Sequence, residues 1–376
     1  MKASLIDTIH DVPVTEWDDV VGSNQLLCRH AFLRAVERGG INDCRYVHAF
    51  LQGPTCGSIM AHASACLIAT DLGTFAQGWQ RRFLVMAPRL WPGFLVFRAM
   101  ECGSPVALGT TLAIRQGTAV DEATLPLLEA IEGSARRHRV AAVLWRDFRD
   151  GDLEITRVLE QRGYRRVENL PATELTIRWD TFEAYLASMK SRYRNKILAQ
   201  MRVFEDAGVQ TELIRSFGHL AADLERLWRQ SYDHASEYRR EVLTADFFKA
   251  MDEELGSRSA VLLFRVEGKP VAFSLLLFDD DTLIPLFCGL DYTLNERCSL
   301  YFNLLYGAIR VAIERRLTRI DFGITTLFPK VHLGCSIVRQ LVYMKHRNPV
   351  LNVLLPLLFR AMTPRCPVTE RPVFKP

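Results

Sequence analysis

Residues 259–345 constrain the fold more than any other stretch of this chain. SAVLLFRVEGKPVAFSLLLFDDDTLIPLFCGL gathers Val, Leu, Ile and Phe into three short blocks, parted by Glu267-Gly268-Lys269-Pro270 and Asp279-Asp280-Asp281. Short apolar blocks broken by turn formers predict three strands joined as an antiparallel meander. The period then changes: Leu300, Asn303, Leu304, Gly307, Ala308, Val311, Ala312 and Arg315 recur at three- and four-residue steps. That spacing predicts an amphipathic helix over 300–316, with Ser299 as its N-cap. Arg319-Ile320-Asp321-Phe322-Gly323 returns to a short apolar strand. A loop over 291–299 would therefore feed a helix start, where the first amides lack internal partners and the dipole favours an anion. Arg297 adds a cation to that loop.

This β-β-β-α-β order, followed by DFGITTLFPKVHLG, resembles the GNAT acyltransferase superfamily and, within it, the tandem FemABX-like acyltransferases. The resemblance implies an α/β (α+β) fold of two GNAT-like domains, each a mixed, mainly antiparallel sheet flanked by helices. It also implies acyl transfer to an amine. NERCSL has no glycine where many acetyltransferases have several, which shifts the expected phosphate contacts toward Arg297.

The first half repeats the pattern. A helix over NQLLCRHAFLRAVERGG, ending at Gly39-Gly40, precedes strand-like blocks at 45–51, 58–70, 83–87 and 93–101. The helix LPLLEAIEGSARRHRV and the buried strand AAVLWRDF follow. Arg136-Arg137-His138-Arg139 corresponds to Glu314-Arg315-Arg316, and Asp147-Phe148 to Asp321-Phe322. A duplicated α/β unit explains both the length and the order of elements, with domains over 1–178 and 179–376.

Composition excludes several classes. At 376 residues with 24% charged residues and a net charge of +4, the chain suits a globular protein and shows no strongly basic face, so no DNA partner is expected. Acidic residues in the first twenty exclude a signal peptide, and the chain reads as cytoplasmic. Nine cysteines without a C-x-x-C pair fit reduced thiols, and no metal site is expected. No transmembrane segment is expected. The apolar run 349–359 is too short to span a bilayer and contains Pro356, so it reads as a docked C-terminal helix, with membrane-surface contact as the alternative.

For the chemistry, acyl transfer needs a held acyl group, a free amine and donors aimed at the oxyanion. No Ser-His-Asp or Cys-His signature is present, so direct attack by the amine is expected. The resemblance places Phe287, Cys288 and Gly289 on an exposed strand edge beside the acyl donor, and Lys330, of Phe328-Pro329-Lys330, in the cleft, reaching a phosphate or the oxyanion. As a loop lysine in polar surroundings, Lys330 is expected to be dispensable for stability. Cys288, in an apolar strand, reads as an inert thiol rather than a nucleophile. Asp321, ending a buried strand, is expected to orient a partner or cap amides, with a base role secondary. His332 and Tyr343 are further proton-transfer candidates. Asn295, Arg297, Ser299 and Asn303 are expected at the donor phosphates, with Tyr301 lining the cleft. In FEAYLASMKSRYRNKILAQMRVFEDAG one helical face is apolar and the others basic, making Lys190, Arg194 and Lys196 candidate anion contacts against a plain solvated face. HLAADLERLWRQSYDHASEYRR adds Tyr232 and Tyr238 as core or cleft wall.

Three functions follow. The first is N-acyl transfer from acyl-CoA or an acyl-carrier protein to a small-molecule or peptide amine, with no tightly bound cofactor. The second is FemX-like transfer from aminoacyl-tRNA, and the third a non-catalytic GNAT-like binding protein.

Overall fold

The strand blocks and amphipathic helices of the sequence assemble into two mixed sheets in the computed structural model, which describes residues 2–53, 57–71, 96–235, 241–324, 326–362 and 368–375. The block expected at 83–87 and Tyr238 lie outside these. The first sheet runs Ser4–Ile6, Arg45–Gln52, Ile59–Asp71, Val96–Cys102, Ala142–Phe148, Leu341–His346, Arg165–Glu168, with Leu112–Ile114 beside Ile59–Asp71. The second runs Gln210–Ile214, Ser259–Val266, Lys269–Asp279, Thr282–Leu290, Arg319–Asp321, Ala172–Thr176, Ser336–Val338.

Position by position, the two orders are the same. In each sheet the fourth and fifth strands are parallel, Val96–Cys102 with Ala142–Phe148 and Thr282–Leu290 with Arg319–Asp321, and each pair is linked through helix. A parallel pair requires such a crossover, which the meander ahead of it does not. In each sheet the sixth strand is antiparallel to both neighbours and comes from the other half of the chain. Ala172–Thr176 crosses into the second sheet, and Leu341–His346 crosses into the first. A cut between 178 and 179 therefore does not separate the sheets, because each half contributes a strand to the other. Tyr343 goes with this exchange: it is buried against Phe148 in the core of the first sheet.

The helix Leu300–Glu314 buries Leu300, Leu304, Ala308, Ile309 and Ala312 against one face of the second sheet, alongside the helix Ser191–Asp206. The other face is covered by Ala221–His234 and Ala245–Leu255, which also meet His30–Arg38 of the first half. Arg38 pairs there with Glu253 and Glu254. The last described residues return to the second half: Phe374 lies against Trp179 and Tyr185, and its ring occupies the space that a side chain at Gly334 (φ 90°) would need.

Candidate active site

Thr282–Leu290 is buried at both ends and half-buried between, and its two edges are treated differently. On one side it pairs with Lys269–Asp279 along its length, with a bulge that leaves Leu286 without an opposite residue between Leu275 and Leu276. On the other side only Thr282 and Leu283 pair, with Arg319 and Ile320. Beyond Leu283 the two parallel strands part. The half-buried stretch Ile284 to Cys288 has no strand partner on that edge among the described residues. Past the opening the strand is pinned again: Leu290 donates its amide to Ser231 Oγ at 3.1 Å. A Cβ on Gly289 would come within 2.3 Å of Phe273 and 2.6 Å of the backbone of Leu227 and Trp228. Gly289 thus lets the helix Ala221–His234 press against the strand, a close approach that only glycine permits.

At the open end lies a cavity of about 500 Å³ lined by Leu290, Tyr292, Asn295, Glu296, Ser299, Tyr301, Phe302 and Thr326. The stretch expected as a loop is a helix, Tyr292–Cys298, because Asp291 accepts from the Thr293 amide (3.0 Å) and hydroxyl (2.6 Å) and so caps it. Ser299 does not cap the next helix: its backbone is left-handed (φ 51°) and its side chain makes no capping bond. The Tyr301 amide instead donates to Asn295 Oδ1 at 3.0 Å. Asn303 is buried, donating to the Ser299 carbonyl at 3.0 Å and the Gln200 carbonyl at 3.2 Å, so it holds the turn together rather than facing the cavity. Tyr301 Oη is bonded to Thr326 Oγ1, joining the helix start to the segment after Asp321. Tyr292 stacks on His234 at 3.9 Å.

Lys330 is only 3% exposed, on the short helix Leu327–Val331, and its Nζ donates to the Phe322 carbonyl at 2.6 Å. This corrects the expectation of a loop lysine in polar surroundings: buried Leu327 and Val331 carry it inward, and the Phe322 carbonyl receives it. Burial lowers its ammonium to about 8, opposed by nearby Cys335, Cys288 and Asp321. Burial pushes the Cys288 thiol up to about 11 and Cys335 to about 12, with Lys330 acting against both shifts. A thiol held so firmly protonated is a poor nucleophile. Asp321 accepts from the Gly323 amide at 2.9 Å and pairs with Arg149 at 3.2 Å. Its carboxyl is raised by burial, against the pull of that amide and of Arg149. Arg149, from the first half, also pairs with Glu174 at 2.5 Å, tying the strand junction to the exchanged strand.

The basic helix flanks this cavity. Lys196 is exposed, with its ammonium 5.8 Å from the Phe302 ring, and Gln200 accepts from Tyr306 Oη. His332 lies between Phe328 (4.3 Å) and Tyr193 (5.5 Å), and burial followed by the charges of Lys196, Arg371 and Arg192 lowers its pKa. Lys190 and Arg194 are half-buried, the Lys190 amide bonding to Val373.

Other candidates stand apart. Arg297 is exposed on the last turn of Tyr292–Cys298 and is not among the lining residues, whose one charged member is the carboxylate of Glu296. Phe287 packs toward Phe247 on the opposite face of the sheet from Cys288. Tyr232 packs on Trp228 in that same opposite core. Tyr343 belongs to the first sheet. Five cavity residues were not among the sequence candidates: Leu290, Tyr292, Glu296, Phe302 and Thr326. Asp291-x-Thr293 was a usable cap signal that would have turned the loop into a helix and drawn in Tyr292 and Glu296.

In the first half the corresponding place is closed. Val96–Cys102 stays paired with Ala142–Phe148 from Ala99 to Cys102. Beyond it, buried Arg146 pairs with Glu101 (3.2 Å) and Asp147 (3.3 Å) and donates to the Ser104 carbonyl (2.6 Å).

Known folds share this layout. FemX superposes with a TM-score of 0.57 at 12% identity, covering 94% of this chain and all of FemX. The C-terminal domain of a putative lysylphosphatidylglycerol synthetase from Agrobacterium fabrum gives 0.55 at 10% identity, covering 93% and 95%. A tandem GNAT protein from the clavulanic acid biosynthesis pathway gives 0.50 at 9%, covering 93% and 99%. In sequence, the chain is 29% identical over 326 residues to putative 8-amino-7-oxononanoate synthase 2 of Mycobacterium tuberculosis, covering 84% of this chain but 41% of that protein. Residues 8–331 match the model of the FemAB-like family, described as peptidoglycan biosynthesis/recognition. The fold is therefore that of tandem GNAT proteins, and the chain belongs to the FemAB-like family, which supports acyl or aminoacyl transfer in general.

Proposed function

We propose that this protein is an N-acyltransferase that moves an acyl group from an acyl thioester, acyl-CoA or carrier-protein-bound, to an amine acceptor by direct attack. The observation that carries this reading is the parting of the parallel strands after Leu283, which leaves the backbone from Ile284 to Cys288 free to hold an extended donor beside a 500 Å³ cavity. An amide-bearing thioester arm laid there completes the edge by strand-like hydrogen bonds. The acceptor nitrogen forms a C–N bond to the acyl carbon, the C–S bond breaks, and the leaving sulfur takes up the proton given up by the amine. Lys330, next to Cys288 on the open edge, supplies positive charge where the oxyanion develops. Asp321 and Arg149 hold the strand that forms the other lip.

A second reading, FemX-like transfer from aminoacyl-tRNA with a peptidoglycan-type acceptor, is favoured by one observation. The exposed basic helix with Arg192 and Lys196 borders the cavity, while no lysine or arginine lines the cavity itself to meet a pyrophosphate. Native mass spectrometry against acyl-CoAs, acyl-carrier protein and aminoacyl-tRNA, followed by an assay of thiol release with amine acceptors, tests both. Thiol release that requires the amine supports the first reading, and binding of aminoacyl-tRNA alone supports the second. Binding without turnover on any donor points to a recognition protein.

A further inference from the structure

The helix Pro349–Met362 is docked on the first sheet by one narrow face and, among the described residues, leaves a wide apolar face uncovered. Asn348 caps it, its Oδ1 accepting from the amides of Val350 (2.9 Å) and Leu351 (3.2 Å). Asn352 fixes its rotation by accepting from the His346 amide (2.8 Å) and donating to the Gly163 carbonyl (3.1 Å). Leu355 and Phe359 then pack on Ala99, Ala142, Leu144, Val167, Val342 and Met344. The remainder points outward: Val350, Leu351, Val353, Leu354, Leu357 and Leu358 are each 43% to 64% exposed. An apolar face this continuous is rare on a free surface.

The rim is basic. Arg165, Arg347 and Arg360 are exposed and have no ion-pair partner among the described residues. The Arg347 amide bonds to the Ala141 carbonyl, Arg165 stands opposite Met344, on which the helix packs, and Arg360 is on the helix itself, which places these three arginines at its border. Among nearby carboxylates, Glu129 is engaged by Arg162, Glu132 by Lys345 and Glu168 by Arg339.

We propose that this helix seats the protein on an anionic lipid surface, lying in the plane of the interface with its leucines in the acyl boundary and the arginines at the headgroups. No helix among the described residues is long and apolar enough to cross a membrane, and an in-plane helix has no need to be. A second copy fits less well. Fourteen residues give a strip about 21 Å long and roughly 10 Å wide, far below the ~800 Å² per partner of a stable dimer, and a two-fold contact sets one arginine rim against the other.

The test is flotation of the full chain with vesicles of phosphatidylcholine alone and of phosphatidylcholine with phosphatidylglycerol. The expected result is binding to the anionic vesicles that weakens with added salt. Arg347→Gln and Arg360→Gln should each reduce it about fivefold, and Leu354→Asp with Leu357→Asp by more than about tenfold. Unchanged circular dichroism and thermal unfolding establish that these surface variants remain folded. No binding to anionic vesicles, or binding indifferent to both sets of substitutions, overturns the proposal. So does a concentration-dependent dimer that Leu354→Asp disperses in the absence of lipid, which would give the face to a second copy.

Discussion

The two sheets share one strand order along their main path, and apart from the extra strand Leu112–Ile114 in the first they differ most at the parallel pair at the centre of each. In the first sheet that pair stays hydrogen-bonded to the end of its fourth strand, and the buried Arg146–Glu101–Asp147 cluster fills the space beyond. In the second the pair holds at two positions and then opens toward a cavity. The same topology thus yields a plug in one half and a cleft in the other. The difference lies in how far two strands stay together, and the proposed function rests on the half where they part.

Splitting the chain should break the comparison most severely. Because each sheet takes its sixth strand from the other half, residues 1–178 and 179–376 produced separately should each lack a cooperative unfolding transition and regain it when co-expressed. A fragment that folds alone, with the strand content of its full sheet, would show that the exchange is dispensable.

Next in size is the plug. Arg146→Ala leaves Glu101 and Asp147 buried without their cation, which should lower stability by about 3–5 kcal/mol. Turnover of the remaining folded protein should be unchanged, because the plug lies in the closed half. A comparable fall in kcat at a temperature where the variant is fully folded would argue that the first half takes part in the chemistry.

Lys330 tests the open half on two axes. Lys330→Ala removes a buried side chain and the partner of the Phe322 carbonyl, so a loss of about 2–4 kcal/mol is expected, along with a fall of about 10²-fold in turnover if its charge meets the oxyanion. Lys330→Met retains the volume and separates the two effects. Its folded value, about 8, lies below that of free lysine, so between about pH 8 and 10.5 the unfolded chain carries a proton that the folded one lacks. Stability from this group therefore rises with pH through that window. Denaturant melts should show the wild type gaining on Lys330→Met from pH 8 upward, by on the order of 1–3 kcal/mol. A flat difference would mean that the ammonium is not buried.

Gly289→Ala should cost about 1–3 kcal/mol, since the added methyl meets Phe273 and the backbone of the helix Ala221–His234. By displacing that helix it should also loosen the Leu290–Ser231 bond, visible as faster amide exchange at Leu290.

Much of this was legible in the sequence. The meander and the helix after it follow from local periodicity, which tertiary context left intact over 259–290 and 300–314 but not in the stretch between. The strand exchange was not legible, because Ala172–Thr176 and Leu341–His346 are short and carry no local signal of which sheet they pair in. Only the packed structure chooses between them. Tyr343 was misplaced for that reason. Lys330 was read as a cleft lysine on a loop in polar surroundings because a lysine ordinarily stays solvated, whereas its ammonium is received by a carbonyl eight residues earlier in sequence. Ser299 followed the usual rule for a helix start, but the left-handed turn between two helices gave the capping task to Asn295.

The smallest expected effect is at Arg297, where sequence and structure diverge most over the donor. Read from the sequence alone, a cation in the stretch leading to the helix start should carry about 1–3 kcal/mol of donor affinity, as a charge-assisted hydrogen bond does. In the structure Arg297 is exposed on the short helix ahead of the cavity, and the wall carries the carboxylate of Glu296 and three aromatic rings instead. Any attraction it exerts on donor phosphates then acts through water and is screened by salt. Arg297→Ala should change acyl-CoA affinity by no more than about 0.5 kcal/mol at physiological ionic strength, somewhat more at low salt. Glu296→Gln should strengthen the same binding slightly by removing the opposing charge. Titration calorimetry of both variants across ionic strength checks this. A loss of tenfold or more in Arg297→Ala that persists in high salt would mean that the arginine turns into the cavity and grips the phosphate directly, which would restore the helix start as an anion site.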